Sequence, residues 1–156
     1  MIAEARTPEQ WAQMYVSCGL PGTHSTTPGF VILPLSDEVT AVNTPGEIGD
    51  RVVALMPERH LYGPVLARPN PARYTFLTHY DRVTEPDMVE TLLRYGVDTG
   101  PYRANVILPT GLGPITREER YWLCSPRPDE PLPPLTMLLE VVAACLEAPA
   151  APDPRD

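Results

Sequence analysis

Apolar residues recur at helical spacing in four segments of the chain, which predicts four amphipathic helices. Each of the first three segments opens with a threonine and a proline within the next two positions, a pattern typical of helix starts. The fourth segment is the most apolar and is predicted to pack on a sheet. The predicted helices cover residues 8–18, 44–57, 84–96 and 135–146. At the second helix, Thr44 and Glu47 are predicted to cap the free backbone N–H groups.

Short apolar, β-branched runs lie between these segments, as expected of strands. They cover residues 30–35, 39–42, 63–67, 74–80, 104–108 and 120–124. Short connections favour a hairpin between the first two runs and another between the third and fourth, and the longer connection between the last two is predicted to be a loop or a wide hairpin. This order of elements predicts a single α+β domain, with a mostly antiparallel sheet of about six short strands and about four packing helices. The domain is predicted over residues 1–148, followed by a disordered tail at residues 149–156.

The run at residues 120–124 contains the strongest candidate for a core aromatic residue. Alternation along a strand places Trp122 and Cys124 on one face and Tyr121 and Leu123 on the other. Because Trp122 and Cys124 form the more apolar pair, we expect them to face the core. The alternative is that Trp122 is exposed and stacks on a base or a partner.

Composition limits the classes of function. The chain has 12 arginines, no lysine and 20 acidic residues, for a formal charge of -8, so strong non-specific binding to nucleic acid is not expected. The three cysteines show no paired spacing and are predicted to be buried free thiols in a reducing cytoplasm. No long apolar span or apolar leader is present, so no membrane association is expected. The sequence contains no Walker loop, zinc-protease motif or dinucleotide fingerprint, so no cofactor is expected.

Three pieces of the later chain follow one another in an order that points to a family. They are Val106-Ile107-Leu108-Pro109-Thr110, then Arg120-Tyr121-Trp122, then Pro131-Leu132-Pro133-Pro134-Leu135. This order resembles the end of the bifunctional primase/polymerase domain of actinobacteria and phages, an archaeo-eukaryotic primase-like domain. The resemblance extends upstream over residues 29–135.

The resemblance implies a metal-dependent site, and this chain departs from its pattern. The family carries paired acids near the end of an early strand, a histidine on a later strand and a further acid, which together hold divalent metal and nucleotide phosphates. Paired carboxylates are needed because the metals bridge the attacking and leaving oxygens. Residues 38–45 contain no such pair, and Asn43 is a poor substitute for a charged ligand. The resemblance therefore implies a catalytically degenerate relative that holds no metal.

A few residues stand out as candidates for a site. His79 and Asp81 share a strand face and are the nearest match to the family histidine and its neighbouring acid. They could also form a weak catalytic dyad, in which one residue orients the other. The simpler interpretation is a histidine at the end of a strand beside a surface acid. The other candidates are proposed for ligand binding, with ordinary surface roles as the alternative. They are Arg68, Arg73 and Arg103 as an anion-binding cluster, the loop residue His24, and Thr110.

Two functions of different classes remain open from the sequence. The first is a non-catalytic primase/polymerase-like module that binds a nucleotide, a nucleic acid or a protein partner. The second is a small cytoplasmic enzyme that acts on an unidentified metabolite through His79, Asp81 and the arginines. Primase or polymerase activity is not expected in either case.

Overall fold

The computed structural model describes residues 5–69, 72–82, 84–99, 104–111 and 116–147. The tail predicted at residues 149–156 lies outside this described part of the chain. The helices are α1 (Pro8–Ser17), α2 (Gly46–Leu55), α3 (Pro86–Arg94) and α4 (Leu135–Glu147), with a 3-10 turn at Pro57–Arg59 after α2. The strands are β1 (His24–Ser25), β2 (Val31–Pro34), β3 (Thr40–Pro45), β4 (Val65–Pro69), β5 (Ala72–Thr78), β6 (Asn105–Leu108) and β7 (Tyr121–Cys124).

The strands form two antiparallel sheets, which confirms the predicted α+β class. The smaller sheet has the order β1-β2-β6, and the larger sheet has the order β3-β5-β4-β7. The hairpin predicted between residues 63–67 and 74–80 is present as β4 and β5. The hairpin predicted between residues 30–35 and 39–42 does not form, because β2 pairs with β6 while β3 pairs with β5. Likewise β6 and β7 belong to different sheets.

Strands β2 and β3 belong to different sheets because both contribute side chains to the same buried core. The chain turns tightly after β2, with the backbone N–H of Ser36 donating to the carbonyl of Val39 at 2.9 Å. Leu33 before this turn and Ala41 after it both pack in the same buried cluster. The turn therefore carries the chain from one sheet to the sheet that faces it. Sequence alternation alone does not distinguish this path from a hairpin within one sheet.

Two buried clusters divide the molecule into layers. The first lies between the two sheets and against α1, and it includes Tyr15, Leu66, Leu77 and Trp122. The face of the larger sheet that contributes to this cluster is called its inner face below. The second cluster lies on the outer face of the same sheet, under α2, α3 and α4. No helix in the described ranges has the length and apolar character needed to cross a membrane.

Capping differs between α1 and α2. The predicted cap at Thr7 is present, with reciprocal hydrogen bonds to Gln10. The predicted cap by Thr44 and Glu47 is wrong, because Pro45 occupies the N-cap position and no side chain caps this end. Strand pairing continues through Thr44, whose hydroxyl is buried and has no hydrogen-bond partner in the part of the chain described. The strand thus ends one residue later than the capping pattern implies.

A β-bulge changes the alternation along β7. Leu66 lies opposite Trp122, but the preceding residue Val65 lies opposite Cys124, so Leu123 is the extra residue. Trp122 is 5% exposed in the inter-sheet core, as predicted. Cys124 is exposed, which corrects the expectation that it faces the core with Trp122 and that all three cysteines are buried. The bulge moves Cys124 to the outer face, with Val65.

Candidate anion-binding site

Arginine side chains line one end of the inner face of the larger sheet. Arg68 on β4 lies directly opposite Arg73 on β5. Arg120 immediately precedes β7, one position beyond the pair formed by Ala67 and Tyr121. Strand alternation therefore places Arg120 on the same face as Arg68. We call Arg73, Arg68 and Arg120 the arginine row; it spans about 10 Å, given a strand spacing of about 4.8 Å.

The arginine row concentrates positive charge, although the carboxylates of Glu118 and Glu119 attract Arg120 without forming an ion pair with it. All three side chains are partly buried. Within the described ranges, none of them forms an ion pair with a carboxylate. Like charges placed directly opposite each other on neighbouring strands destabilise a sheet. The arrangement thus costs stability in the unliganded protein and favours a bound anion.

Arg120 is held in place by neutral acceptors. Its Nε donates to the carbonyl of Glu118 at 3.1 Å, and its terminal nitrogen donates to the carbonyl of Ile107 at 3.3 Å. Burial, followed by repulsion from Arg68, lowers the pKa of the Arg120 guanidinium. An arginine nevertheless remains charged at neutral pH. The guanidinium is therefore fixed, charged and able to bind a phosphate or carboxylate in two-point contact.

The residues next to the arginine row along β4 and β7 are buried, and hydrogen bonds fix their positions. Leu66 and Trp122, one step further into the sheet, are buried in the inter-sheet core. The Trp122 Nε1–H donates to the Tyr15 hydroxyl at 2.9 Å, and that hydroxyl donates to the carbonyl of Pro109 at 2.5 Å. Burial raises the pKa of Tyr15, so the hydroxyl keeps its proton and remains a donor. This chain of hydrogen bonds links α1, β7 and the end of β6.

On the inner face, beside the arginine row, Asn43 forms a group of hydrogen bonds with Asp98 and Thr75. Asn43 on β3 donates through Nδ2 to the Asp98 carboxylate at 2.8 Å and accepts from the Thr75 hydroxyl at 2.6 Å. Pro45, two residues after Asn43, lies opposite Arg73. On β3 the inner face thus carries an amide at Asn43 and a proline at Pro45. Asp98 supplies a carboxylate from a different segment.

Thr110 lies at the end of β6 and is bound by a buried acid. The Glu118 carboxylate accepts hydrogen bonds from the Thr110 hydroxyl at 2.7 Å and from the Thr110 backbone N–H at 3.3 Å. Glu118 is only 6% exposed. The pair ties the end of β6 to the segment that carries Arg120. The Thr110 hydroxyl and backbone N–H are therefore already engaged by Glu118.

His79 and Asp81 lie elsewhere. His79 follows β5, six residues beyond Arg73, which corresponds to about 20 Å along an extended strand. The Asp81 carboxylate accepts from the backbone N–H of Thr136 at 3.1 Å and from its hydroxyl, so it caps the start of α4. The imidazole Nδ1 of His79 lies 3.3 Å from the carbonyl of Tyr80. The structure does not bring His79 and the arginine row into one site.

Burial opposes the charge on Asp81, but the hydrogen bonds from Thr136 outweigh it and lower the pKa of the carboxyl below its ordinary value. The carboxylate therefore acts as a helix cap and stays ionised.

The remaining candidates are separate from the arginine row. His24 lies on β1, where its ring nitrogen is 2.9 Å from the carbonyl of Gly22. Arg103 lies outside the described residues. Arg120 was not among the sequence candidates, although the alternation that placed Trp122 in the core also places Arg120 on the same face. Its position beside Arg68 depends on pairing between β4 and β7, which the sequence does not reveal.

Metal ligands do not cluster in the described ranges: no three His, Cys, Asp or Glu side chains there lie close enough together to hold a metal ion. No protein-family model matches the chain, and neither a curated protein nor a solved structure matches it.

Proposed function

We propose that the chain is a non-catalytic, primase/polymerase-like module that binds a nucleotide through the phosphates, at the arginine row. The observation that carries the proposal is the alignment of Arg73, Arg68 and Arg120 on one face, where none of them forms an ion pair with a carboxylate of the described residues. Partly buried guanidinium groups with free donors are suited to phosphate oxygens.

The dimensions and charge of the molecule favour a short polyanion over a long one. A row of about 10 Å across three strands matches a di- or triphosphate group better than a single small anion, since strands are about 4.8 Å apart. A duplex would extend far beyond the row and meet the field of a protein with a formal charge of -8. The ligand is therefore a nucleotide and not an extended nucleic acid.

The residues beside the arginine row support binding without phosphoryl transfer. The resemblance implies an acid pair within residues 38–45, but this stretch contains none, and Asn43 and Pro45 supply no charged metal ligand. Asn43 is moreover hydrogen-bonded to Asp98 and Thr75. The alternative of a metabolic enzyme that uses His79 together with the arginines is disfavoured, because His79 lies about 20 Å along the strand from Arg73.

Isothermal titration with ATP, GTP, AMP and pyrophosphate, without added metal, tests the proposal. We expect the di- and triphosphates to bind more tightly than AMP, and Arg68→Met to weaken binding by about 10- to 100-fold, from about 1.5–3 kcal/mol for a hydrogen bond to a charged group. Arg94→Met is the matched control, because Arg94 is exposed on α3 and pairs with Glu90. Equal binding by the two variants, or binding of DNA in preference to nucleotides, would contradict the proposal.

A further inference from the structure

A cavity of about 380 Å³ opens on the outer face of the larger sheet, on the side opposite the arginine row. Its floor consists of Met56, Leu61 and Val65, all 5% exposed or less. Its mouth is flanked by Tyr62 and Leu123, which are 58% and 41% exposed. The cavity therefore joins a buried apolar floor to an open entrance.

The β-bulge in β7 shapes one wall of this cavity. Because Leu123 is the extra residue, both it and Cys124 line the cavity, whereas regular alternation would send Cys124 to the inner face. Bulges at the edges of sheets commonly redirect a side chain next to a binding site. The same bulge also makes this edge poorly suited to pairing with another strand. A small molecule thus fits the wall better than an added peptide strand.

The charges at the mouth balance each other. Arg127 and Glu130 both line the cavity, and their side chains form an ion pair at 3.3 Å. The other lining groups are uncharged. Burial raises the pKa of the Cys124 thiol, so this group also stays neutral at pH 7. The cavity therefore complements a neutral ligand.

We propose that this cavity is a second binding site, which takes a neutral, compact aromatic molecule of about two fused or linked rings. An apolar cavity of about 150 Å³ accommodates benzene, so a volume of 380 Å³ accommodates roughly two rings. Ligand pockets of this size are lined mainly by apolar side chains with a few polar groups at one end. Ser125 and Cys124 supply such groups here. The site is independent of the nucleotide proposal, since it lies on the other face of the sheet.

Titration with 6-propionyl-2-(dimethylamino)naphthalene, a neutral dye with two fused rings whose fluorescence shifts to the blue in apolar surroundings, tests the inference. The wild-type protein should bind one dye saturably. Leu123→Asp places a charge at the mouth and should weaken binding at least tenfold. Leu93→Asp is the matched control, because Leu93 is 56% exposed on α3 and lies away from this cavity. Circular dichroism verifies that both variants fold.

Alkylation of Cys124 by iodoacetamide provides a second measurement that needs no variant. Cys18 and Cys145 are buried, so Cys124 should react first, and saturating dye should slow its modification. If Leu123→Asp fails to fold, Val53→Phe, which fills the cavity from α2, replaces it and should also weaken dye binding. Unsaturable binding, equal binding by the Leu123 and Leu93 variants, or unprotected Cys124 would overturn the inference.

Discussion

Replacing Trp122 with alanine should strongly destabilise the protein. The side chain is 5% exposed between the two sheets, and its ring centroid lies 5.9 Å from that of Tyr15. Truncating a buried large aromatic residue costs about 3–5 kcal/mol. The Tyr15 hydroxyl keeps its bond to the Pro109 carbonyl in this variant, so no additional unsatisfied donor is created. The expected loss in the free energy of unfolding is therefore about 3–5 kcal/mol.

Trp122→Phe distinguishes the contribution of the buried ring to stability from the contribution of its hydrogen bond. This variant retains most of the apolar ring but removes the Nε1–H that donates to Tyr15. A typical buried hydrogen bond contributes about 0.5–1.5 kcal/mol, so the loss should be clearly smaller than for alanine.

Urea unfolding followed by circular dichroism measures both losses, with Trp11 as an independent fluorescent reporter. Acrylamide quenching of Trp122 in a Trp11→Phe background should be weak. A loss below about 1 kcal/mol for Trp122→Ala, together with efficient quenching, would show that Trp122 is exposed.

Three further outcomes follow from the structure. Asp81→Asn should lower stability at pH 7, because the ionised Asp81 carboxylate stabilises the folded state. The difference from wild type should shrink as the pH falls below the ordinary carboxyl pKa of about 4 and vanish only below the lowered pKa of Asp81; a pH-independent difference in urea unfolding would contradict this. Gly49→Ala should destabilise by about 1–3 kcal/mol, because the added methyl would overlap the Tyr74 ring; a gain in stability, usual for this change in a helix, would contradict it. Primer synthesis and extension assays with Mg²⁺ or Mn²⁺ and all nucleotides should give no product, because residues 38–45 contain no acid pair for the metals; template-dependent synthesis would refute the proposed non-catalytic function.

The helices could be predicted from the sequence because the residues that start, line and end each helix lie within that helix or next to it. The cap at Thr7, the apolar spacing after Pro86 and the glycine at position 96 specify α1 and α3 without reference to the rest of the chain. Gly96 has a φ of +76°, as expected of a residue that ends a helix. These features depend on contacts within one turn. They therefore do not depend on how the strands pair.

Strand pairing depends on contacts that local patterns do not contain. The runs that became β2 and β3 look like a hairpin, but burial of Leu33 and Ala41 in one core places them in facing sheets. The bulge at Leu123 is also invisible in the sequence, because it results from pairing with β4. The sequence identified Arg68 and Arg73 as neighbours across a turn. It missed Arg120 because that neighbour comes from a distant strand.

Nitrogen-15 NMR of the arginine side chains tests the nucleotide-binding proposal most directly. The Nε–H resonances of Arg68, Arg73 and Arg120 can be assigned from single methionine variants and followed as pyrophosphate or ATP is added. The proposal predicts saturable shifts at all three positions with a common dissociation constant, while Arg94 on α3 stays unchanged. Absent shifts at these three positions, or equal shifts across the exposed arginines, would contradict a phosphate-binding site at the arginine row.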